Sequence, residues 1–108
     1  MTTVPADLAE FAARAGEVAG VLKALASRPR LMVLWKLAVC GEMRVGELAE
    51  AVDLSQSALS QHLARMREEG IVTYRRESQT LWYRIADTRI EDLLATLHKL
   101  YCKPNKRC

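Results

Sequence analysis

Leu54-Ser55-Gln56-Ser57-Ala58-Leu59-Ser60-Gln61-His62-Leu63 is the stretch on which the reading of this chain turns. Leu59, Leu63 and Met66 recur at helical spacing, so a helix through them carries one apolar stripe that packs inward. Ser55 is suited to cap it, because its hydroxyl can accept from a backbone N–H that the first turn leaves unmatched. Gly70 closes the helix, which is expected from Gln56 to Glu69. The outward face near its start holds Gln56, Ser57, Ser60 and Gln61, all short or amide side chains that both donate and accept. A merely solvated face more commonly carries Glu and Lys. Glutamine can pair with adenine at two positions, and serine with bases or phosphates. Arg65 and Arg67 come later in the helix, within reach of backbone phosphates. His62 sits beside the apolar stripe, where a structural or phosphate role is favoured over metal ligation.

Upstream, Val45, Leu48 and Val52 mark a short helix that ends in a tight turn at Asp53-Leu54. Before it, Pro29 suits the first turn of a helix running through Leu31, Leu34 and Leu37 to about Cys40, where Gly41 stops it. A longer helix, from about Asp7 to Ala26, carries a continuous stripe of Leu8, Phe11, Ala12, Ala15, Val18, Ala19, Leu22 and Leu25. Downstream, Ile71 to Arg76 and Thr80 to Ile85 are rich in β-branched and aromatic residues, as strands require. Glu77-Ser78-Gln79 joins them as a hairpin loop. Thr88-Arg89-Ile90-Glu91 has the pattern of a capping box opening a last helix, with Ile90, Leu93, Leu94, Leu97, Leu100 and Tyr101 on its apolar face. Residues 102–108 read as a short basic tail. The order is ααααββα: a mainly α (α+β) winged helix-turn-helix in one domain spanning 1–108.

The wing offers Arg75 and Arg76 at the end of its first strand and Gln79 in its loop. Arginines at a hairpin tip can enter a minor groove or grip phosphate. The two arginines point to opposite strand faces. Leu81, Tyr83 and Ile85 share the inward face, which turns Trp82 outward, an unusual place for so large a ring.

Composition agrees without deciding. The 108 residues are half hydrophobic and 27% charged, with a net charge of +3. That balance permits nucleic-acid binding, though the placement of charge matters more than its sum. No apolar run approaches the roughly 18–20 residues that span a bilayer, and no secretory signal pattern opens the chain. A cytoplasmic protein with no membrane association is expected, its thiols reduced by default. The three cysteines, Cys40, Cys102 and Cys108, are odd in number and unlike a disulfide scaffold. No nucleophile–base–orienter set and no phosphate-cradling glycine loop is present, so no enzyme and no cofactor are expected. A winged helix serving only protein contacts would more often carry acidic or apolar residues where Gln and Ser stand here.

The chain resembles the ArsR/SmtB family of bacterial metal- and stress-sensing repressors. The matching runs are Ala24-Leu25-Ala26-Ser27-Arg28-Pro29-Arg30-Leu31, Val45-Gly46-Glu47-Leu48, the opening stretch above, Gly70-Ile71-Val72 and Arg75-Arg76-Glu77. Within the family it is most similar to the branch holding sulfide- and persulfide-responsive repressors and virulence and nodulation regulators. The resemblance implies a homodimer through the first and last helices, with two recognition helices in successive major grooves of double-stranded operator DNA. The apolar stripes support pairing separately, since they are longer than one small core needs. A two-fold dimer reads an inverted repeat whose half-sites lie roughly 34 Å apart. Ser55, Gln56, Ser57, Ser60, Gln61, His62, Arg65, Arg67, Arg75, Arg76 and Gln79 form the expected DNA surface.

The family's metal sites require ligands that are missing. Leu48 to Asp53 holds no thiol where a Cys-x-Cys would stand, and the last helix offers Asp87 and His98 without companion histidines. No resident metal is expected. Sulfur-sensing relatives place one thiol in the second helix and another after a tyrosine near the end of the last. Tyr101-Cys102 matches the second, while Trp35 occupies the first position and Cys40 lies five residues on. Three readings stand. Cys40 and Cys102 form a displaced redox pair; Cys102, Cys108 and Cys40 bind a thiophilic ion such as arsenite; or the thiols are structural and incidental.

Overall fold

A computed structural model describes residues 8–102. The elements are α1 (Leu8–Leu25), α2 (Arg28–Cys40), β1 (Met43–Arg44), α3 (Val45–Val52), α4 (Gln56–Glu68), β2 (Val72–Glu77), β3 (Thr80–Ile85) and α5 (Thr88–Tyr101). The expected fold is present, with one addition. Met43-Arg44 pairs antiparallel with β3, so the wing is a three-stranded sheet in the order β1-β3-β2. A two-residue strand has no periodicity to show in a sequence; only its partner defines it.

The boundaries follow local chemistry. Pro29 sits in the first turn of α2, and Gly41, at φ 89°, closes it by donating its N–H to the Leu37 carbonyl. Asp53 turns the chain between α3 and α4 in a left-handed conformation, φ 58° and ψ 50°, which a short polar side chain tolerates. The hairpin is tighter than expected: Glu77 and Thr80 pair, leaving Ser78-Gln79 as the turn, with Ser78 at φ 58°. The last helix opens one residue earlier than its capping-box pattern suggests. Asp87 is the N-cap, and its carboxylate accepts from the Arg89 N–H at 3.0 Å. A carboxylate facing the positive end of the helix outcompetes the neutral Thr88 hydroxyl.

The core forms where the stripes of α2 to α5 converge on the inner sheet face. Leu34, Leu37, Leu48, Leu59, Leu63, Met66 and Ile90 are fully buried, with Val72 and Ile85 closing the wing side. Each such side chain contributes roughly 1.5–3 kcal/mol relative to exposure. The α1 stripe does not join them. Only its end, Ala24 and Leu25, is buried, while Leu8, Phe11 and Leu22 face solvent.

On the outer sheet face Trp82 is half-buried rather than bare. The Arg44 and Arg75 guanidiniums each lie 5.6 Å from its ring centre. Arg75 is held in turn by Glu42 at 3.0 Å and Glu77 at 3.2 Å. These carboxylates, Glu42 first, raise the Arg75 pKa above its ordinary value.

Candidate nucleic-acid interface

The start of α4 is capped and open. Ser55 accepts from the Ala58 N–H at 3.0 Å, as the cap reading expects. Leu59, Leu63 and Met66 anchor the opposite side of the helix in the core. Gln56, Ser57, Ser60 and Gln61 are left exposed together. The first turn of α3 stands beside them, since a Cβ on Gly46 would lie 3.7 Å from the Gln56 Nε2.

The arginines divide into groups. Arg65 and Arg76 are exposed and, among the described residues, form no ion pair. Arg67 lies with its guanidinium 4.4 Å from the Tyr74 ring centre, and Tyr74 in turn meets Tyr83 at 5.2 Å. Tyr74 and Arg76 share a strand face, so Arg76 projects from the wing on the side where α4 packs. Arg75 points the other way, into its carboxylate pair, and reaches phosphate only by exchanging those partners. Gln79 is exposed at the wing tip.

His62 differs from its neighbours on α4. It is half-buried, and its Nδ1 accepts from the Arg30 Nε–H at 3.5 Å. Sequence reasoning also missed Arg44. It precedes α3, its N–H donates to Glu47 Oε1 at 3.4 Å, and with Gly46, Gln79 and Thr80 it lines a recess of about 520 Å³ between α3 and the wing tip. The available signal was a basic residue at the entry to the first helix of the helix-turn-helix.

The thiols are separated. Cys102 is free and exposed, so it is not bonded to Cys40. Cys108 lies outside the described residues. Trp35 and Cys102 line one apolar groove of about 470 Å³ between α2 and α5, together with Leu31, Leu97 and Tyr101. His98 stacks on Trp35, with ring centres 4.8 Å apart and planes 11° apart. Asp87 is bound to Arg89. Among the described residues no three His, Cys, Asp or Glu side chains are grouped to hold a metal ion, and no helix is long and apolar enough to cross a membrane.

Known proteins share this arrangement. The family model described as "Bacterial regulatory protein, arsR family" matches residues 27–74, from the entry of α2 into β2. The chain is 41% identical over 102 residues to the transcriptional activator HlyU of Vibrio cholerae, covering 94% of each protein. It is 44% identical over 93 residues to a biofilm growth-associated repressor of Agrobacterium fabrum, covering 86% of this chain and 79% of the relative. The crystal structure of the transcriptional repressor BigR from Xylella fastidiosa superposes with a TM-score of 0.80 at 38% identity, covering 88% of this chain and 96% of the other.

Proposed function

The chain belongs to the ArsR family of bacterial regulatory proteins, and from that premise we propose that it is a cytoplasmic homodimeric repressor that reads an inverted repeat in operator DNA. The observation that carries the reading is the exposed, uncharged amide-and-hydroxyl surface at the start of α4, anchored from behind by three buried side chains. Gln56, Ser57, Ser60 and Gln61 face base edges. Ser55, Arg65, Arg67, Arg76 and Gln79 hold phosphates on either side, since backbone contacts fix register and base contacts specify sequence. Arg75 braces the wing behind them. Pairing through α1 and α5 covers the apolar residues that a single chain leaves exposed.

Release is proposed to follow thiol oxidation. Two thiols give up two protons and two electrons to a peroxide or persulfide, and the resulting bridge favours a dimer geometry in which the recognition helices no longer match the groove spacing. The exposed Cys102 thiol, on the groove that Trp35 lines, is open to an oxidant and supports a redox trigger more than an incidental role.

The test starts from duplexes recovered from a randomised pool by the reduced protein. Gln56→Ala with Gln61→Ala removes about 1–3 kcal/mol of discrimination per lost bidentate contact. Affinity for the recovered duplexes therefore falls steeply, while non-specific binding holds. A folded double variant that binds them as tightly as wild type ends the base-reading proposal. The same assay after persulfide, peroxide or arsenite, with mass spectrometry of Cys40, Cys102 and Cys108, tests release; unchanged affinity in every condition removes the thiol trigger.

A further inference from the structure

One guanidinium joins three parts of the molecule. The Arg30 side chain, in the first turn of α2, is only 15% exposed. Its Nη1–H donates to the Ala24 carbonyl in the last turn of α1 at 3.5 Å. Its Nε–H donates to His62 Nδ1 on α4 at 3.5 Å. Nη1 also lies 3.6 Å from Glu69 Oε1, at the end of α4. Each contact is long, but the three act on one part-buried charge, from the end of α1 and from two places along α4. The Ala24 carbonyl belongs to the negative end of α1, which favours a cation there. A guanidinium suits the task because its donors are fixed in a planar fork; an ammonium is a single point.

The elements so joined have different duties under the reading above. α1 exposes the stripe that pairs protomers, and α4 exposes the surface that reads bases. We propose that Arg30 is a positioning residue that sets the recognition helix relative to the dimerisation helix, with neutral His62 as its acceptor rather than as a DNA contact. This rests on the homodimeric DNA-binding reading and goes beyond it. The Nδ1 acceptor requires the tautomer that carries its proton on Nε2. An error in the angle of α4 to α1 is duplicated in the two protomers and alters the separation of the two recognition helices. What the tie protects is the match to two half-sites at a fixed spacing, not the contact with either one.

The experiment measures binding to a recovered inverted repeat, to the same repeat with one or two base pairs inserted or removed, and to a single half-site. Arg30→Met keeps the apolar stem and removes the fork; Arg30→Lys keeps the charge. Both variants are expected to lose about tenfold on the native spacing, the scale of a typical coupling between sites. Half-site affinity stays unchanged and the preference among spacings flattens. A ¹⁵N spectrum of His62 shifts from the Nε2–H tautomer toward a mixture in Arg30→Met. Variants at His62 test the acceptor without touching Arg30, and so hold if the Arg30 variants do not fold. His62→Asn keeps an acceptor near the Nδ1 position and retains spacing preference, whereas His62→Gln moves it away and loses the preference. Three results overturn the proposal: unchanged spacing preference in Arg30→Met, an equal loss on full and half sites, or full rescue by lysine. A pool that yields no bound sequence sinks the DNA-binding reading, and this proposal with it.

Discussion

Trp82 shows how a single residue can hold a wing. The Arg44 and Arg75 guanidiniums both lie against its ring, so β1, β2 and β3 meet at one aromatic side chain. Its indole Nε1–H, however, is buried and has no hydrogen-bond partner among the described residues. A buried donor left unmatched costs free energy that an apolar ring of similar shape does not incur. Trp82→Phe is therefore expected to unfold at a denaturant midpoint equal to wild type or slightly higher. Trp82→Ala loses the shared face and costs about 2 kcal/mol, less than a fully buried ring because this one is half-exposed. A larger loss for Phe than for Ala would show that the indole N–H has a partner in solution. The outward direction of Trp82 follows from strand alternation and was legible. Its two arginine partners were not, since they depend on the cross-strand register of Arg44 and Arg75 against residue 82.

Elements with a full period of their own were readable; those defined by a partner were not. α2, α3 and α4 carry stripes bounded by Pro29, Gly41, Asp53, Ser55 and Gly70; Ser55 acts through its capping hydroxyl and the others through their own backbone preference. The exposed face of α4 follows from the same stripe. β1 and the Arg30 tie are long-range and leave no local trace. The junction of α1 with α5 is of this second kind. Arg89 bonds Asp87 at 2.8 Å within α5's first turn and reaches Glu17 of α1 at 3.1 Å. The Arg89 guanidinium holds the Asp87 carboxyl below its usual range, and Arg14 and then Arg89 do the same for Glu17. A depressed carboxylate stabilises the fold at pH above its ordinary value near 4, and that contribution disappears as pH falls through the lower folded value. The stability difference between wild type and Arg89→Gln is thus expected at neutral pH and shrinks on acidification below about 4. Both proteins' acid titrations, followed by the Asp87 carboxyl resonance, check it. An Asp87 that titrates alike in the two proteins would refute the link.

At the scale of the whole molecule, one chain looks unfinished. Its radius of gyration is 15.3 Å and its extents are 49 × 32 × 22 Å, against about 13 Å for a compact domain of a hundred residues. Along α1, Leu8, Phe11 and Leu22 are 76%, 60% and 52% exposed, while α5 ends in Leu100 and Tyr101 at 71% and 83%. Such residues contribute little to the fold of a lone chain, so replacing one changes monomer stability by no more than about 0.5 kcal/mol. Any larger effect must come from a partner. Phe11→Glu is expected to keep the circular-dichroism spectrum of wild type yet sediment as a monomer at concentrations where wild type is a dimer. The wild-type melting temperature should rise with protein concentration, as mass action requires of a dimer, and that of the variant should not. Operator affinity falls when dimerisation is lost, because two linked half-sites act at high effective concentration and one does not. A Phe11→Glu protein that still sediments as a dimer would place the interface elsewhere, and the exposed stripe on α1 would then need another occupant.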